Sequence, residues 1–85
     1  MSHSKPDYRQ LAAFLIQPLL DFPEQLTVSS ELTLGGKKTW LRVAFATADK
    51  GRVFGRGGRT IQAIRIVLEC SAQVAEQEVY LEVFE

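Results

Sequence analysis

The chain contains 85 residues, of which 46% are hydrophobic and 24% are charged, and its ten basic and ten acidic side chains cancel. This composition is typical of one soluble globular domain with a small core, and it argues against a disordered chain. The longest apolar run, residues 11–16, is far too short to span a bilayer. Residues 1–7 lack the apolar stretch of a signal peptide. The sequence therefore predicts a cytoplasmic protein in which a mobile N-terminus, residues 1–7, precedes a single domain over residues 8–85.

The zero net charge conceals a basic middle segment. Between residues 37 and 65, eight basic side chains face a single acid, Asp49, for a net charge of +7. The rest of the chain holds two basic and nine acidic side chains, for a net charge of −7. The local field of such a face, rather than the overall charge, would attract a nucleic acid. Equally, the charges could be solvated and partly neutralised by the acidic segments in the fold.

The first half of the chain predicts a helix followed by two strands. A Ser-x-x-Asp cap pattern at residues 4–7 precedes apolar residues spaced by three and four from Tyr8 to Leu19. Pro18 predicts a kink near Gln17 or a loose final turn. Alternation over residues 26–34 and 40–45 predicts strands joined by a two-residue turn at residues 35–36. The predicted inward-facing side chains are Leu26, Val28, Leu32, Leu34, Leu41, Val43 and Phe45.

The second half predicts two helices and a closing strand. Asp49 is a candidate cap for a short helix over residues 50–54, which Gly55 ends. A longer helix and a strand follow, and their predicted buried residues are Ile61, Ile64, Leu68, Ala72 or Ala75, Val79, Leu81 and Val83. The lone Cys70 has no partner for a disulfide or a zinc site, and we expect it to be a small buried residue. The order α-β-β-α-α-β predicts an α+β fold.

Residues 53–64, VFGRGGRTIQAI, place three glycines and two arginines at the bend between the two helices. A turn alone is expected to need one glycine, and each further one costs about 0.5–1 kcal/mol. Three therefore suggest that something approaches the backbone closely. Arg56 and Arg59 lie near a helix N-terminus, where the macrodipole is already positive, and no acid occurs from residue 50 to 68. Phosphate binding would explain both features, and a plain helix-to-helix turn is the alternative.

This stretch resembles the K-homology (KH) signature V-I-G-x-x-G-x-x-I-x-x-I, whose G-x-x-G loop clamps about four nucleotides of single-stranded nucleic acid. The signature is carried by Val53, Gly55, Gly58, Ile61 and Ile64. The predicted element order is that of the type II arrangement. Residues 8–84 also resemble the small bacterial single-KH proteins of the KhpA family. The stretches that carry this resemblance are ADKGRVFGRGGR at residues 48–59, AIR at 63–65 and FLIQPLL at 14–20.

The resemblance implies a KH type II fold, with a three-stranded sheet and the helices packed on one face. It implies an RNA-binding protein without enzymatic activity or cofactor that acts as an RNA chaperone or post-transcriptional regulator. It also implies a homodimer, a complex with a second KH-containing protein of the Jag (KhpB) type, or both, with effects on cell elongation and division. Single-stranded DNA would fit the same groove.

The family pattern also assigns roles within the bend. The phosphates would be contacted by the loop residues Gly55, Arg56, Gly57 and Gly58, with electrostatic help from Arg59. The floor of the groove, or the layer just beneath it, would consist of Phe54, Ile61 and Ile64. Val53 would lie in the core. Lys50, Arg52 and Arg65 complete the predicted RNA-binding set. Phe54 replaces the isoleucine of the pattern, so its ring could stack on bases or be buried. Gly57 stands where a basic residue is common, which predicts weaker binding.

Outside the bend, alternation places Trp40, Tyr80 and Phe84 on the sheet face opposite the core. We favour a protein interface there, with dimerisation as the specific hypothesis, over a base-stacking platform. This face supports the rival hypothesis of a protein-interaction module with little RNA binding. Ile66 projects away from the main helix stripe and could join an interface or belong to a wide stripe.

Enzyme motifs are absent from the sequence. It contains neither the loop G-x-x-x-x-G-K-[ST] nor the nucleophile elbow G-x-S-x-G. Its single histidine, His3, lies in the predicted mobile N-terminus, and we do not expect it to be catalytic. The sequence therefore predicts no enzyme, no metal site and no cofactor.

Overall fold

The computed structural model describes residues 7–84, the side chain of Leu34 excepted. The predictions for residues 1–6, including the Ser4 cap and the role of His3, lie outside the described residues. Three helices and three strands follow in the predicted order: α1 (Tyr8–Ile16), β1 (Thr27–Thr33), β2 (Lys38–Ala44), α2 (Lys50–Phe54), α3 (Arg59–Val74) and β3 (Glu78–Phe84). The α+β class is confirmed.

The strands form one sheet in the order β1-β2-β3. β1 pairs with β2 in antiparallel fashion, and β2 pairs with β3 in parallel. The parallel pair requires a crossover, and α2 and α3 supply it, because parallel neighbours cannot be joined by a tight turn. No helix within residues 7–84 is long and apolar enough to cross a membrane.

A single core lies between the helices and one face of the sheet. Leu41 and Val43 of β2 and Leu68 of α3 are at most 1% exposed. Burial of each such side chain stabilises the fold by about 1.5–3 kcal/mol. The predicted α3 stripe of Ile61, Ile64, Leu68 and Ala72 is buried, as are Val79 and Leu81 of β3. The 3.6-residue and two-residue periods thus identified these core faces correctly.

Both ends of α1 follow from local chemistry. The Asp7 carboxylate accepts a hydrogen bond from the Gln10 N–H at 3.1 Å, which satisfies one of the free donors at the helix start. Pro18 ends the α-helix at Ile16, and a single looser turn over Gln17–Leu19 follows. The start of α1 is also tied to the region after α3, because the Tyr8 hydroxyl donates to Gln77 Oε1 at 2.7 Å.

The hairpin between β1 and β2 differs from the prediction. Thr33 pairs with Lys38, so four residues connect the strands instead of two. Gly35 and Gly36 adopt φ angles of 65° and 85°, the left-handed region that glycine enters without a Cβ clash. Leu32, predicted to face inward, is 55% exposed. β1 is an edge strand, and only its beginning, at Val28, packs against the core.

The burial expected for Cys70 is wrong, because its side chain is exposed. At 100° per residue, position 70 lies about 160° from Leu68 on α3, and Leu68 marks the buried side of the helix. Free cysteines generally prefer the interior, but Cys70 is exposed because its angular position on α3 faces away from the core.

Candidate nucleic-acid interface

The bend between α2 and α3 uses all three of its glycines for backbone conformation. Gly55, Gly57 and Gly58 have φ angles of 74°, 63° and 75°, which L side chains rarely adopt. The expectation that the turn itself needs only one glycine is therefore wrong. Their number alone gives no evidence of a ligand, and any evidence must come from the surface that the bend presents.

The three glycines differ in their surroundings. A Cβ on Gly55 would collide with the Thr60 side chain and lie 2.9 Å from the Thr60 nitrogen. At Gly57 and Gly58, a Cβ would have no neighbour within 4 Å. The bend is thus closely packed on the side of α3 and open where Gly57 and Gly58 face outward. A ligand can approach the backbone there.

The backbone N–H groups of the bend fall into two pairs, one with acceptors in the chain and one without. The Gly55 N–H donates to the Gly51 carbonyl at 2.9 Å, and the Gly58 N–H donates to the Gly55 carbonyl at 3.1 Å. The N–H groups of Arg56 and Gly57 have no hydrogen-bond acceptor within residues 7–84. Two adjacent donors at the start of a helix form a concave site suited to an anion.

Four of the five predicted cations lie around this bend. Arg56 and Arg59 are exposed beside it. Lys50 is also exposed, with its Nζ 6.0 Å from the centre of the Phe54 ring. Arg52 donates to Asp21 Oδ1 at 2.7 Å, but both side chains are more than half exposed, so this surface pair leaves Arg52 open to a ligand.

Arg65 differs from the other four predicted cations. It lies about 9 Å further along α3 than Arg59, is half-buried, and donates from Nη2 to the Leu81 carbonyl at 3.5 Å. Its guanidinium is therefore directed at the edge of β3, away from the glycines.

The apolar residues of the motif lie deeper than the cations. Val53 is fully buried, as predicted, and Ile61 and Ile64 are 3% and 6% exposed. The two isoleucines therefore support the surface from beneath and do not form an open floor. Phe54 is partly buried against the core. Its ring packs against the core and is also partly accessible. Phe54 is therefore neither fully buried nor fully available to stack on bases.

Asp49 has a role that the sequence did not reveal. It lies at the N-cap position of α2, but its side chain does not cap that helix. The carboxylate is completely buried and accepts hydrogen bonds from the N–H groups of Asp21 and Phe22, at 2.9 and 3.0 Å. It thereby fixes the start of α2 against the segment that follows α1. Its position as the one acid in the basic middle segment was the available signal.

The predicted partner face lies on the outer side of the sheet. Trp40 and Tyr80 stack with their ring centres 4.8 Å apart, and the Lys38 Nζ lies 5.6 and 4.7 Å from the two centres. The Tyr80 hydroxyl donates to Glu78, and this hydrogen bond, with the negative charge of Glu78, raises the pKa of Tyr80. Phe84 is 48% exposed. A role of this face in partner binding stays a prediction.

Metal ligands do not cluster in the described part of the chain. Residues 7–84 contain no group of three or more His, Cys, Asp or Glu side chains placed to hold an ion.

The chain is similar to known proteins over most of its length. Residues 9–83 match the family model described as KhpA/KhpB, KH domain. The RNA-binding protein KhpA of Bacillus subtilis is 32% identical over 75 residues, which cover 88% of this chain and 90% of the relative. The RNA-binding protein KhpA of Treponema pallidum is 33% identical over 76 residues, which cover 89% and 92%.

A solved structure shares the fold at much lower identity. A variant of the Aquifex aeolicus protein Era, crystallised with GDP and AlF4−, superposes with a TM-score of 0.59 at 13% identity. The match covers 91% of this chain and 29% of that one. At this identity the likeness concerns the fold alone.

Proposed function

The chain belongs to the KhpA/KhpB KH-domain family, and on that premise we propose that it binds single-stranded RNA at the bend formed by residues 55–58. One observation carries the proposal: the N–H groups of Arg56 and Gly57 have no acceptor within the described chain, and they lie on an open, basic surface. The names of the bacterial relatives, which are RNA-binding proteins, support the same ligand.

Binding would begin at the sugar-phosphate backbone. The two N–H groups donate hydrogen bonds to the oxygens of one phosphate, and Arg56 and Arg59 neutralise that phosphate and its neighbours. Lys50 and Arg52 extend the basic surface along α2. Because the bend fixes the backbone, unstacked bases can lie along the adjoining surface beside Phe54, where shape and hydrogen bonding select them.

The biological role that fits this chemistry is non-enzymatic. We propose an RNA chaperone or post-transcriptional regulator that works in the cytoplasm and requires no cofactor. A single bend neutralises about three phosphates, so the slope of log K against log salt should be near −2. So few phosphate contacts give weak binding. Useful affinity then requires a homodimer or a partner of the KhpB type with further RNA sites.

The test is fluorescence anisotropy of a short randomised single-stranded RNA at low salt. The double variant Arg56→Asp, Gly57→Asp should abolish binding, because two carboxylates would face the phosphates. Both positions are exposed and no atom would crowd a Cβ at Gly57. Because the left-handed φ of 63° at Gly57 costs a side chain about 1–2 kcal/mol, circular dichroism must show that the variant is folded before its binding is compared. The matched control, Arg9→Asp with Gln10→Asp, changes the net charge by the same amount. It does so at the start of α1, which lies beside the far end of α3.

The outcomes separate the alternatives. Loss of binding in the first double variant but not in the control supports the proposed site. Equal binding by all three proteins would place the RNA elsewhere, and no binding by any would favour a protein-interaction module that uses the outer sheet face of Trp40, Tyr80 and Phe84. A deoxyribose version of the same oligomer tests single-stranded DNA as the ligand.

A further inference from the structure

The stacked rings of Trp40 and Tyr80 border the cleft between α3 and β3, although alternation places them on the outer face of the sheet. β3 is an edge strand, so no further strand covers this side of it. The two rings line a hollow of about 210 Å³ together with Arg65 and Leu81. A second hollow, of about 260 Å³, adjoins the first, and the two share Glu69 and Tyr80. The aromatic pair is therefore continuous with the side of α3 that Arg65 occupies.

One face of the Tyr80 ring is open to a ligand. The ring centre lies 4.8 Å from that of Trp40 and 4.7 Å from Lys38 Nζ. If Lys38 and Trp40 lay on opposite faces of the Tyr80 ring, the distance between them would approach the sum of these two values, but it is only 5.6 Å. Neither neighbour therefore covers the face of Tyr80 that is turned away from Trp40. Tyr80 is 38% exposed, and another ring can stack on that face.

The hollows suit a nucleobase better than a phosphate. The Tyr80 hydroxyl donates to Glu78 Oε1 at 3.1 Å. This hydrogen bond and the charge of Glu78, with a smaller effect of Glu69, raise the pKa of Tyr80, so both carboxylates act on this ring. They would repel a phosphate, whereas a nucleobase is uncharged and presents both a π face and N–H donors. Pockets for drug-sized ligands measure about 300–1,000 Å³, so these smaller hollows have room for a single base.

We propose that Trp40 and Tyr80 form a stacking platform for one base of the single-stranded RNA whose backbone binds at residues 55–58. The platform rests on the proposed function, because it extends the path of the same strand. Glu69 lies about 15 Å along α3 from Arg59 at 1.5 Å per residue. A strand longer than the roughly four nucleotides that a KH loop clamps can reach it. The base lies on the Tyr80 ring with its hydrogen-bonding edge toward Glu69.

A protein partner suits these rings less well. Phe84, the third aromatic residue of the predicted partner face, lies four residues further along β3 than Tyr80, a distance of about 13 Å. Arg42 and Glu82 lie side by side on the sheet between them. The aromatic side chains thus do not form one apolar patch, whereas the core of a protein interface is depleted of charge. A single base needs only the stacked pair.

The carboxylate of Glu69 predicts which bases the platform prefers. A carboxylate accepts hydrogen bonds and donates none, so it favours cytosine, whose N4 amino group donates, over uracil, which carries a carbonyl oxygen there. Oligocytidine longer than the clamped stretch should therefore bind about threefold or more tightly than oligouridine of the same length. Glu69→Gln should remove this preference, because an amide both donates and accepts. The ratio of the two affinities is the readout, since a general charge effect would change both alike.

The main test compares a short and a long RNA of random sequence, about four and about ten nucleotides long. Tyr80→Ala should weaken binding of the long RNA by about tenfold and leave the short RNA unaffected, because one stacked base is lost. Tyr80→Phe should bind both as the wild type does, since the ring remains. Phe14→Ala is the matched control: Phe14 is 73% exposed on α1 and lines neither hollow. Circular dichroism verifies that each variant is folded.

A second readout comes from Trp40, the only tryptophan of the chain. Because Trp40 lines the hollow, a base that enters it should quench the tryptophan fluorescence. The long RNA should therefore quench the fluorescence of the wild type, and the short RNA should not. Anisotropy of a labelled RNA reports binding at the bend in the same samples, so the two sites are followed separately.

Each outcome decides the proposal. A loss confined to the long RNA and to Tyr80→Ala, with quenching of Trp40 by the long RNA, supports it. If the long RNA binds wild type and Tyr80→Ala equally and leaves the fluorescence unchanged, the platform is overturned while binding at the bend stands. A wild type that binds neither RNA overturns the proposed function and the platform together. If Tyr80→Ala instead abolishes self-association seen by sedimentation and leaves both RNA affinities unchanged, the rings belong to a protein interface.

Discussion

Substitution of alanine for each of three glycines around the bend should give three different results, because their backbones and surroundings differ. Gly55 has φ 74° and ψ 173°, and a Cβ there would lie 2.9 Å from the Thr60 nitrogen. Gly57 has φ 63° and ψ 21°, with no atom within 4 Å of a Cβ. Gly51 lies inside α2 without a positive φ and with open space around it.

The expected magnitudes follow from these geometries. Gly55→Ala combines about 1–3 kcal/mol for a backbone region that only glycine enters easily with about 1–3 kcal/mol for the collision. The sum, about 2–6 kcal/mol, is a large part of the total stability of about 4–13 kcal/mol expected for 85 residues. Gly57→Ala costs only the left-handed conformation, about 1–2 kcal/mol. Gly51→Ala should stabilise the protein by about 0.5–1 kcal/mol.

The assay is urea and thermal unfolding of the three variants and the wild type, monitored by circular dichroism. At about 4–8 °C per kcal/mol for a domain of this size, Gly57→Ala should lower Tm by roughly 4–16 °C and Gly55→Ala by considerably more. Failure of Gly55→Ala to fold agrees with the reasoning. Equal destabilisation by Gly55→Ala and Gly57→Ala would refute it, because Thr60 would then make no difference.

Three further predictions concern side chains away from the glycines. Asp49→Asn should reduce the free energy of unfolding by about 1–3 kcal/mol, because an amide accepts only one of the two backbone hydrogen bonds; unchanged urea unfolding would contradict this. Glu78→Gln should lower the pKa of Tyr80 toward 10.0, measured by tyrosinate absorbance. Because the wild-type pKa of Tyr80 is raised, the contribution of its hydroxyl to stability is complete below pH 10 and is lost as the pH rises through the folded-state pKa. An unchanged midpoint of the Tyr80 titration in the variant would disprove the role of Glu78. Cys70 should react readily with a thiol reagent in the native protein, because its side chain is exposed, and protection of the thiol would contradict that exposure.

Local periodicity made much of the fold predictable. The spacing of Ile61, Ile64 and Leu68 identified the buried side of α3, and alternation identified the buried face of β3. The glycine bend and its arginines were visible as a motif that predicted the KH family, and the family match confirms the family; the roles of the individual residues stay predictions. The exposure of Cys70 was equally readable from the helical period, but Cys70 was assigned by the general preference of free cysteines for the interior and not by its angle on the helix.

Other features depended on contacts that a linear pattern does not contain. The sequence by itself determined which elements form and in which order, because helical and strand periods and the positive φ angles of glycine are properties of neighbouring residues. Only the tertiary structure decided that Asp49 bonds to backbone 27 and 28 residues away, that Leu32 lies beyond the covered part of the sheet, and that Arg65 is directed at the edge of β3. Each of these depends on where a distant segment packs, and the free energy of that packing comes from the whole core, so no single segment encodes it.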